Sequence, residues 1–223
     1  MSSKARKKFQ QSMLPEVTKL VESHKALSAM MGLGKRHLNH ITQSGVLMLC
    51  ASWELYVEEL AVEEAGHLFK RAKSPGCLPN LVQKTIVNAL NNDKHELKPL
   101  ELAGEGWKKV YKDNLDKKIE KFNSPKPTNI NELYKNHLGW ESPSDVWGVK
   151  PEYIIKFVEL RGDITHGNFG GKKLDYVQIK ELRNYISTIS KTVDEQDNAA
   201  NNYIFETTKY EMRFKRPWRR IIK

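Results

Sequence analysis

Apolar residues recur at three- and four-residue steps along most of this chain, the period of helices that lay one face on a core. The longest case runs from about Lys35 to Ala72, where Val46, Leu49, Cys50, Trp53, Val57, Leu60 and Leu68 share a stripe whose one polar member is Glu64. That stretch predicts a helix of about nine or ten turns at 3.6 residues per turn. Gly32 and Gly34 separate it from an earlier helix near Pro15 to Met31, and Ser74-Pro-Gly-Cys-Leu-Pro-Asn80 ends it with turn formers. Asn80 is placed to cap a helix reaching about Asn92. After a break around Lys98-Pro99 and Gly104-Glu-Gly106, the segment Trp107 to Phe122 turns Val110, Leu115 and Ile119 to one side. Asn123-Ser-Pro-Lys-Pro127 reads as a linker. Thr128 is expected to cap a short helix to Leu138, with Gly139 as its C′ residue. Residues 140–150 read as a loop, and Pro151 suits the first turn of a helix to about Thr165. Glycines 167, 170 and 171 force a turn before a last helix from about Asp175 to beyond Asp197, striped by Ile179, Leu182, Ile186, Ile189 and Val193. Two-residue alternation surfaces only weakly, in Tyr203–Thr207 and Tyr210–Phe214, which allows a short C-terminal hairpin. The fold class is therefore all-α, an up-and-down helical bundle, with that hairpin as its one β feature.

Composition narrows the class of protein without naming its work. The chain of 223 residues is long enough to bury a sizeable core, and 39% hydrophobic with 29% charged residues marks it as globular. The longest apolar run, Gly45–Ala51, is about a third of what a membrane helix requires. The basic start, Met1 to Lys8, is followed by no apolar signal core, so a cytoplasmic protein without membrane attachment is expected. Cys50 falls in an apolar helix and Cys77 in a Pro/Gly turn, which predicts two free thiols. The net charge of +10 favours polyanionic partners, RNA first among them.

The segment that carries chemistry is Leu160-Arg-Gly-Asp-Ile-Thr-His-Gly167. It sets an obligate cation, Arg161, five residues before His166, at the end of an otherwise apolar helix. Arginine is costly to bury unpaired, and histidine changes charge near neutral pH. Together they suit phosphodiester cleavage in RNA without a metal or other cofactor. A base takes the 2′-OH proton, and a guanidinium offsets the charge that builds on phosphorus. On an ideal helix Arg161 and His166 lie about 140° apart. Either the helix frays near Gly162 or His166, or each residue serves a site shared by two copies of the chain.

Arg161 to His166, followed by Gly167, resembles the Arg-x4–6-His motif of HEPN ribonucleases. Ala51-Ser-Trp-Glu-Leu-Tyr-Val-Glu-Glu59, Asn129-Ile-Asn-Glu-Leu-Tyr134 and Gly139-Trp140 resemble, more narrowly, the RiboL-PSP-HEPN group and its MAE-like relatives. The likeness spans roughly residues 40–195. It implies one helical domain across 1–223, with an N-terminal helix in 1–34 and a basic tail in 200–223. It also implies a homodimer with facing motifs that cleaves single-stranded RNA to 2′,3′-cyclic phosphate and 5′-OH ends. Members of this kind are commonly toxins or anti-phage effectors, which would add an antitoxin or defence-system partner. Arg161 and His166 carry over directly. Where the family often has Asn, Asp or His after the arginine, this chain has Gly162, with Asp163 one step later as a third candidate that could orient either partner.

Plainer readings stand beside these. Arg161 and Asp163 could pair at a helix end, with His166 favoured there by the helix dipole. His37 and His40 have the i, i+3 spacing of a metal pair, yet no third ligand lies near them, so a structural role is favoured. Glu58 and Glu59 read as a solvated face, as does Glu54 despite its likeness to a recurrent acidic position of the family, and Trp53 and Tyr56 read as core. The tail mixes Tyr210, Phe214 and Trp218 with Arg213, Lys215, Arg216, Arg219 and Arg220, a blend that can hold phosphates and stack bases. The turn at 167–173 lacks the phosphate-loop pattern. Three functions compete: an endoribonuclease, a non-catalytic RNA-binding or protein-interaction module on the same fold, and, last, a DNA-binding regulator for which no helix-turn-helix is evident.

Overall fold

The computed structural model describes residues 2–31, 35–91, 97–166 and 176–211. Its elements are α1 (Lys4–Lys8), a π-helical turn (Phe9–Met13), α2 (Leu14–Met31), α3 (Asn39–Arg71), α4 (Asn80–Asn91), α5 (Gly106–Glu120), α6 (Pro127–Leu138), α7 (Pro151–His166) and α8 (Ile179–Glu211). Short 3-10 turns intervene, and no strand occurs among the described residues. The all-α expectation therefore holds, but the hairpin does not. Residues 203–211 continue α8, because Ile204 and Thr208 keep the four-residue step of its buried face. The same helix absorbs the first part of the segment read as a tail. Arg213, Lys215, Arg216, Arg219 and Arg220 lie outside the described residues, as does the 167–173 turn.

The 33-residue helix α3 is the axis of the molecule, and α1, α2, α6, α7 and α8 all pack on it. Its stripe from Val46 to Leu68 is buried. Trp53 and Tyr56 stack with ring centres 5.7 Å apart, and Trp147 meets Trp53 edge-on at 5.5 Å. The buried heads of Tyr56, Tyr134 and Trp147 each find an acceptor, as amphipathic rings in a core require. Tyr56 Oη donates to Val193 O at 3.0 Å, Tyr134 Oη to Val57 O at 3.0 Å, and the Trp147 indole to Gln196 Oε1 at 2.8 Å. These bonds fix α3 against α6 and α8.

The helix α6 begins differently from expectation. Lys126 is its N-cap and Pro127 its first residue, so Thr128 sits inside the helix rather than capping it. Its other end behaves as predicted. Gly139 terminates it with φ 77°, and a Cβ there would sit 2.5 Å from Pro79 Cβ. Gly139→Ala is expected to lower stability by about 1–3 kcal/mol, from left-handed strain and the clash together. Chemical denaturation checks this, and an unchanged midpoint would show that the loop at Pro79 yields freely.

The N-terminal segment is a second departure. On an uninterrupted α-helix Phe9 and Val17 would lie about 80° apart. The wider π-turn absorbs that rotation, so Ala5, Phe9, Val17 and Val21 all reach the core. The segment is tied down by polar contacts. Ser3 N donates to both Asp197 oxygens at 3.3 Å, the Ser3 hydroxyl also bonds that carboxylate, and Arg6 meets Asp194 at 2.8 Å. The amides of Lys4 and Ala5 donate to Glu63 at 2.8 and 3.2 Å. Glu59 pairs with Lys8, and Glu58, read from the sequence as solvated, is half-buried. Burial, with Glu54 and Glu59 beside it, pushes the Glu58 carboxyl up to about 7.

Glu64, the one polar member of the α3 stripe, is fully buried, and neither of its carboxylate oxygens has a hydrogen-bond partner. Burial, then the charges of Glu63 and Asp197, raise its pKa well above the ordinary range, while Arg71 pulls it back.

Candidate functional site

The helix α7 buries its first half and leaves its last two turns only partly covered, with Leu160 and Ile164 still lying against the core. Ile154, Phe157 and Val158 bury its first half, and Tyr185 of α8 packs on Phe157 with ring centres 4.9 Å apart. Beyond Val158 the buried face gives out, and Arg161 to His166 continue as regular helix. Of the two alternatives open from the sequence, fraying at Gly162 is thus set aside. The Thr165 hydroxyl adds to the final turn by donating to the carbonyls of Arg161 and Gly162 at 3.1 and 3.0 Å.

Arg161, Asp163 and His166 nevertheless border one open groove of about 320 Å³. Gly162 lies between them on the helix surface, and a Cβ added there meets nothing within 4 Å. The missing side chain therefore leaves the middle of the groove free, and Arg161 and His166 flank that opening. Gly162→Ala is expected to raise stability by roughly 0.5–1 kcal/mol, because glycine is costly inside a helix. Thermal melting checks the sign. A decrease would show that Gly162 has a packing role.

The far wall of the groove is the strap between α5 and α6, supplied by Ser124 and Lys126, with Glu159 of α7 facing it. Three bonds hold the strap. The Trp53 indole donates to Pro125 O at 3.2 Å, the Asn129 amide to Ser124 O at 2.9 Å, and Lys126 Nζ meets Glu159 Oε1 at 3.1 Å. In turn the strap receives Arg161, whose Nη1 donates to Asn123 O at 3.4 Å. The sequence reading took these residues as a plain linker and passed over Ser124, Lys126 and Glu159. The available signal was Pro125-Lys-Pro127, a cation between two residues of fixed φ.

Beneath Arg161 lies α3. Glu54 is half-buried, not solvated as the sequence suggested. Burial raises its carboxyl, and the Arg161 guanidinium acts in the opposite direction. Cys50, one turn earlier, is buried, and burial pushes its thiol up to about 12, against the pull of Arg161. Arg161 thus lies near the Glu54 carboxyl, bonds Asn123 O through one nitrogen of its fork, and lines the groove. His37 and His40 are exposed and far in sequence from this arrangement. No group of three or more His, Cys, Asp or Glu side chains that could hold a metal occurs among the described residues.

The arrangement can bind an anion at Arg161 and move a proton at His166. A model of the RiboL-PSP-HEPN family matches residues 14–197, a span that includes the strap, the Arg161 groove and most of α8. No curated protein and no solved structure matches the chain. Because that match takes in well over half of the sequence, the chain belongs to the RiboL-PSP-HEPN family of the HEPN superfamily.

Proposed function

We propose that this chain is a metal-independent endoribonuclease for single-stranded RNA, with Arg161 and His166 as catalytic residues. HEPN domains are generally associated with ribonuclease activity, and they often bind RNA and dimerise. The observation that carries the reading is that Arg161 and His166 flank one open groove with Gly162 vacant between them. A phosphodiester there meets the guanidinium fork. The neutral imidazole takes the proton from the 2′-OH, and the oxygen attacks the adjacent phosphorus. Charge on the phosphoryl oxygens grows, and Arg161 offsets it. The bond to the 5′-oxygen breaks, and that oxygen takes a proton from an imidazolium. The products are a 2′,3′-cyclic phosphate and a 5′-OH.

One imidazole in one groove supplies either the base or the acid at the start of a turnover. A second copy facing the first supplies the other, and Asp163, which lines the same groove, is the third site residue, orienting an Arg or His. The exposed apolar line Met48, Leu55 and Val62 on α3, repeating every seven residues, supports such a homodimer. The basic residues from Arg213 to Arg220 fit an RNA-gripping extension, and a toxin or defence role with a controlling partner accords with a nuclease of this kind. Purified protein is expected to cleave single-stranded RNA in EDTA, leave cyclic phosphate ends, and sediment as a dimer. Intact RNA under those conditions would leave the second reading, a non-catalytic RNA-binding or protein-interaction module. That reading is favoured by the single imidazole that each groove holds among the described residues.

A further inference from the structure

The Arg161 groove holds a second cation that catalysis does not use. Lys126 Nζ lies in the same groove, 3.1 Å from Glu159 Oε1, with side-chain exposures of 33% and 54%. Lys126 is the N-cap residue of α6, but its ammonium is a donor only and cannot cap the helix amides, and it reaches across the groove to Glu159 instead. The backbone beneath it is fixed: Pro125 accepts the Trp53 indole, Ser124 accepts the Asn129 amide, and Pro127 holds Lys126, the residue before it, in extended conformation. The Ser124 hydroxyl faces the same space without a hydrogen bond to the protein among those described. A cation on a rigid strap, with a hydroxyl beside it and a carboxylate already seated on it, is a pre-formed anion position.

We propose that Lys126, with Ser124, binds the RNA phosphodiester next to the one at Arg161, and that Glu159 occupies this position in the free protein until RNA displaces it. The inference rests on the reading of this groove as an RNA site. An exposed ion pair of this kind shifts an equilibrium by no more than about fivefold, so a phosphate that brings its own released counterions displaces the carboxylate readily. The single-stranded backbone suits the position better than a protein carboxylate would. A strand crossing from Arg161 to the strap meets two cations in succession, and Val158 is the one large apolar residue among those that line the groove.

Binding of a 2′-fluoro RNA oligonucleotide, which lacks the attacking hydroxyl, tests this by fluorescence anisotropy over a range of salt. Lys126→Ala is expected to weaken binding roughly five- to tenfold at low salt. It should also flatten the slope of log K against log salt by about 0.7, the value for one phosphate on a single strand. Lys126→Arg should bind like the unaltered protein. Glu159→Gln should bind roughly two- to fivefold tighter. Circular dichroism confirms that each variant is folded. Unchanged affinity and slope in Lys126→Ala, no tightening in Glu159→Gln, or no saturable binding by the unaltered protein each overturn the proposal. Cleavage of ordinary RNA is read in parallel. Cleavage with an inert Lys126→Ala sinks the phosphate position alone, whereas the expected binding pattern with RNA left whole sinks the nuclease reading alone.

Discussion

Arg161→Ala and His166→Ala are each expected to lower the rate of RNA cleavage in EDTA by about 10²–10⁴-fold, the usual contribution of a placed acid/base group or of a preorganised cation. His166 is exposed at the end of α7 and carries no core contact, so its truncation leaves the fold intact. Arg161 is half-buried beside Asn123 O and Glu54, and its loss leaves the Glu54 carboxylate without that counter-charge. Arg161→Lys separates the two roles: it keeps a cation near Glu54 but lacks the planar fork, and cleavage is expected to stay low. Mixing the unaltered chain with an excess of the His166→Ala chain is the sharper measurement. A mixed dimer lacks one imidazole, so a site that takes its base from one chain and its acid from the other is expected to lose cleavage in the mixed dimers too, and activity falls more steeply than the fraction of unaltered chain. Activity proportional to that fraction would place both roles within one chain, and cleavage at the unaltered rate in His166→Ala would remove the histidine from the chemistry.

The second large effect lies in the core. Glu64→Gln is expected to stabilise the protein at pH 8 by an amount on the order of 1–3 kcal/mol, because a buried neutral amide without partners costs less than a carboxyl that must either carry a buried charge or take up a proton at that pH. The sign follows from proton linkage. Burial raises the Glu64 carboxyl in the folded state, while in the unfolded chain it titrates near its usual value of about 4.3. Below that value both states hold the proton, and the contribution of Glu64 to stability is at its greatest. As pH rises toward the folded-state pKa, the unfolded chain gives up the proton more easily, and stability is lost. Glutamine has no such proton. The advantage of Glu64→Gln should therefore be largest at pH 8 and should shrink as pH approaches 4. Urea denaturation at both pH values measures it, and an advantage equal at the two would exclude titration of Glu64 as the cause.

Where information is local, the chain is readable. The stripe on α3, the glycine that ends α6, and the proline that opens α7 each act through neighbours within a few positions, and each appears where its pattern puts it. Arg161 and His166 were legible for the same reason, as an obligate cation and an imidazole closing an apolar run. The opposite wall of their groove was not. Lys126 precedes Glu159 by 33 positions, and their pairing depends on Trp53, 72 positions before Pro125. Glu54 and Glu58 looked solvated because charge on a helix usually is, and only the helices packed around α3 decide otherwise. The weak alternation at Tyr203–Thr207 misled because α8 buries Ile204 and Thr208 at a four-residue step, which short windows confuse with strand. The docking of α1 leaves too short a periodic signature to read, since beside Ala5 and Phe9 it is made by the polar contacts of Ser3, Arg6 and Glu63.

That docking also sets a timetable. Ser3 and Asp197 are separated by 194 positions, so at roughly 5–20 residues per second Ser3 is made about 10–40 seconds before its partner. During that interval α7 and the strap are already synthesised, but Tyr56 has yet to receive Val193 O, and Trp53 stacks on a ring that nothing holds from the α8 side. The groove that Trp53 steadies through Pro125 therefore gains its support on that side only when α8 docks on Tyr56. A nascent chain would carry every residue of the Arg161 motif well before it could hold them in working order, and competence would arrive only as α8 closes on the segment made first.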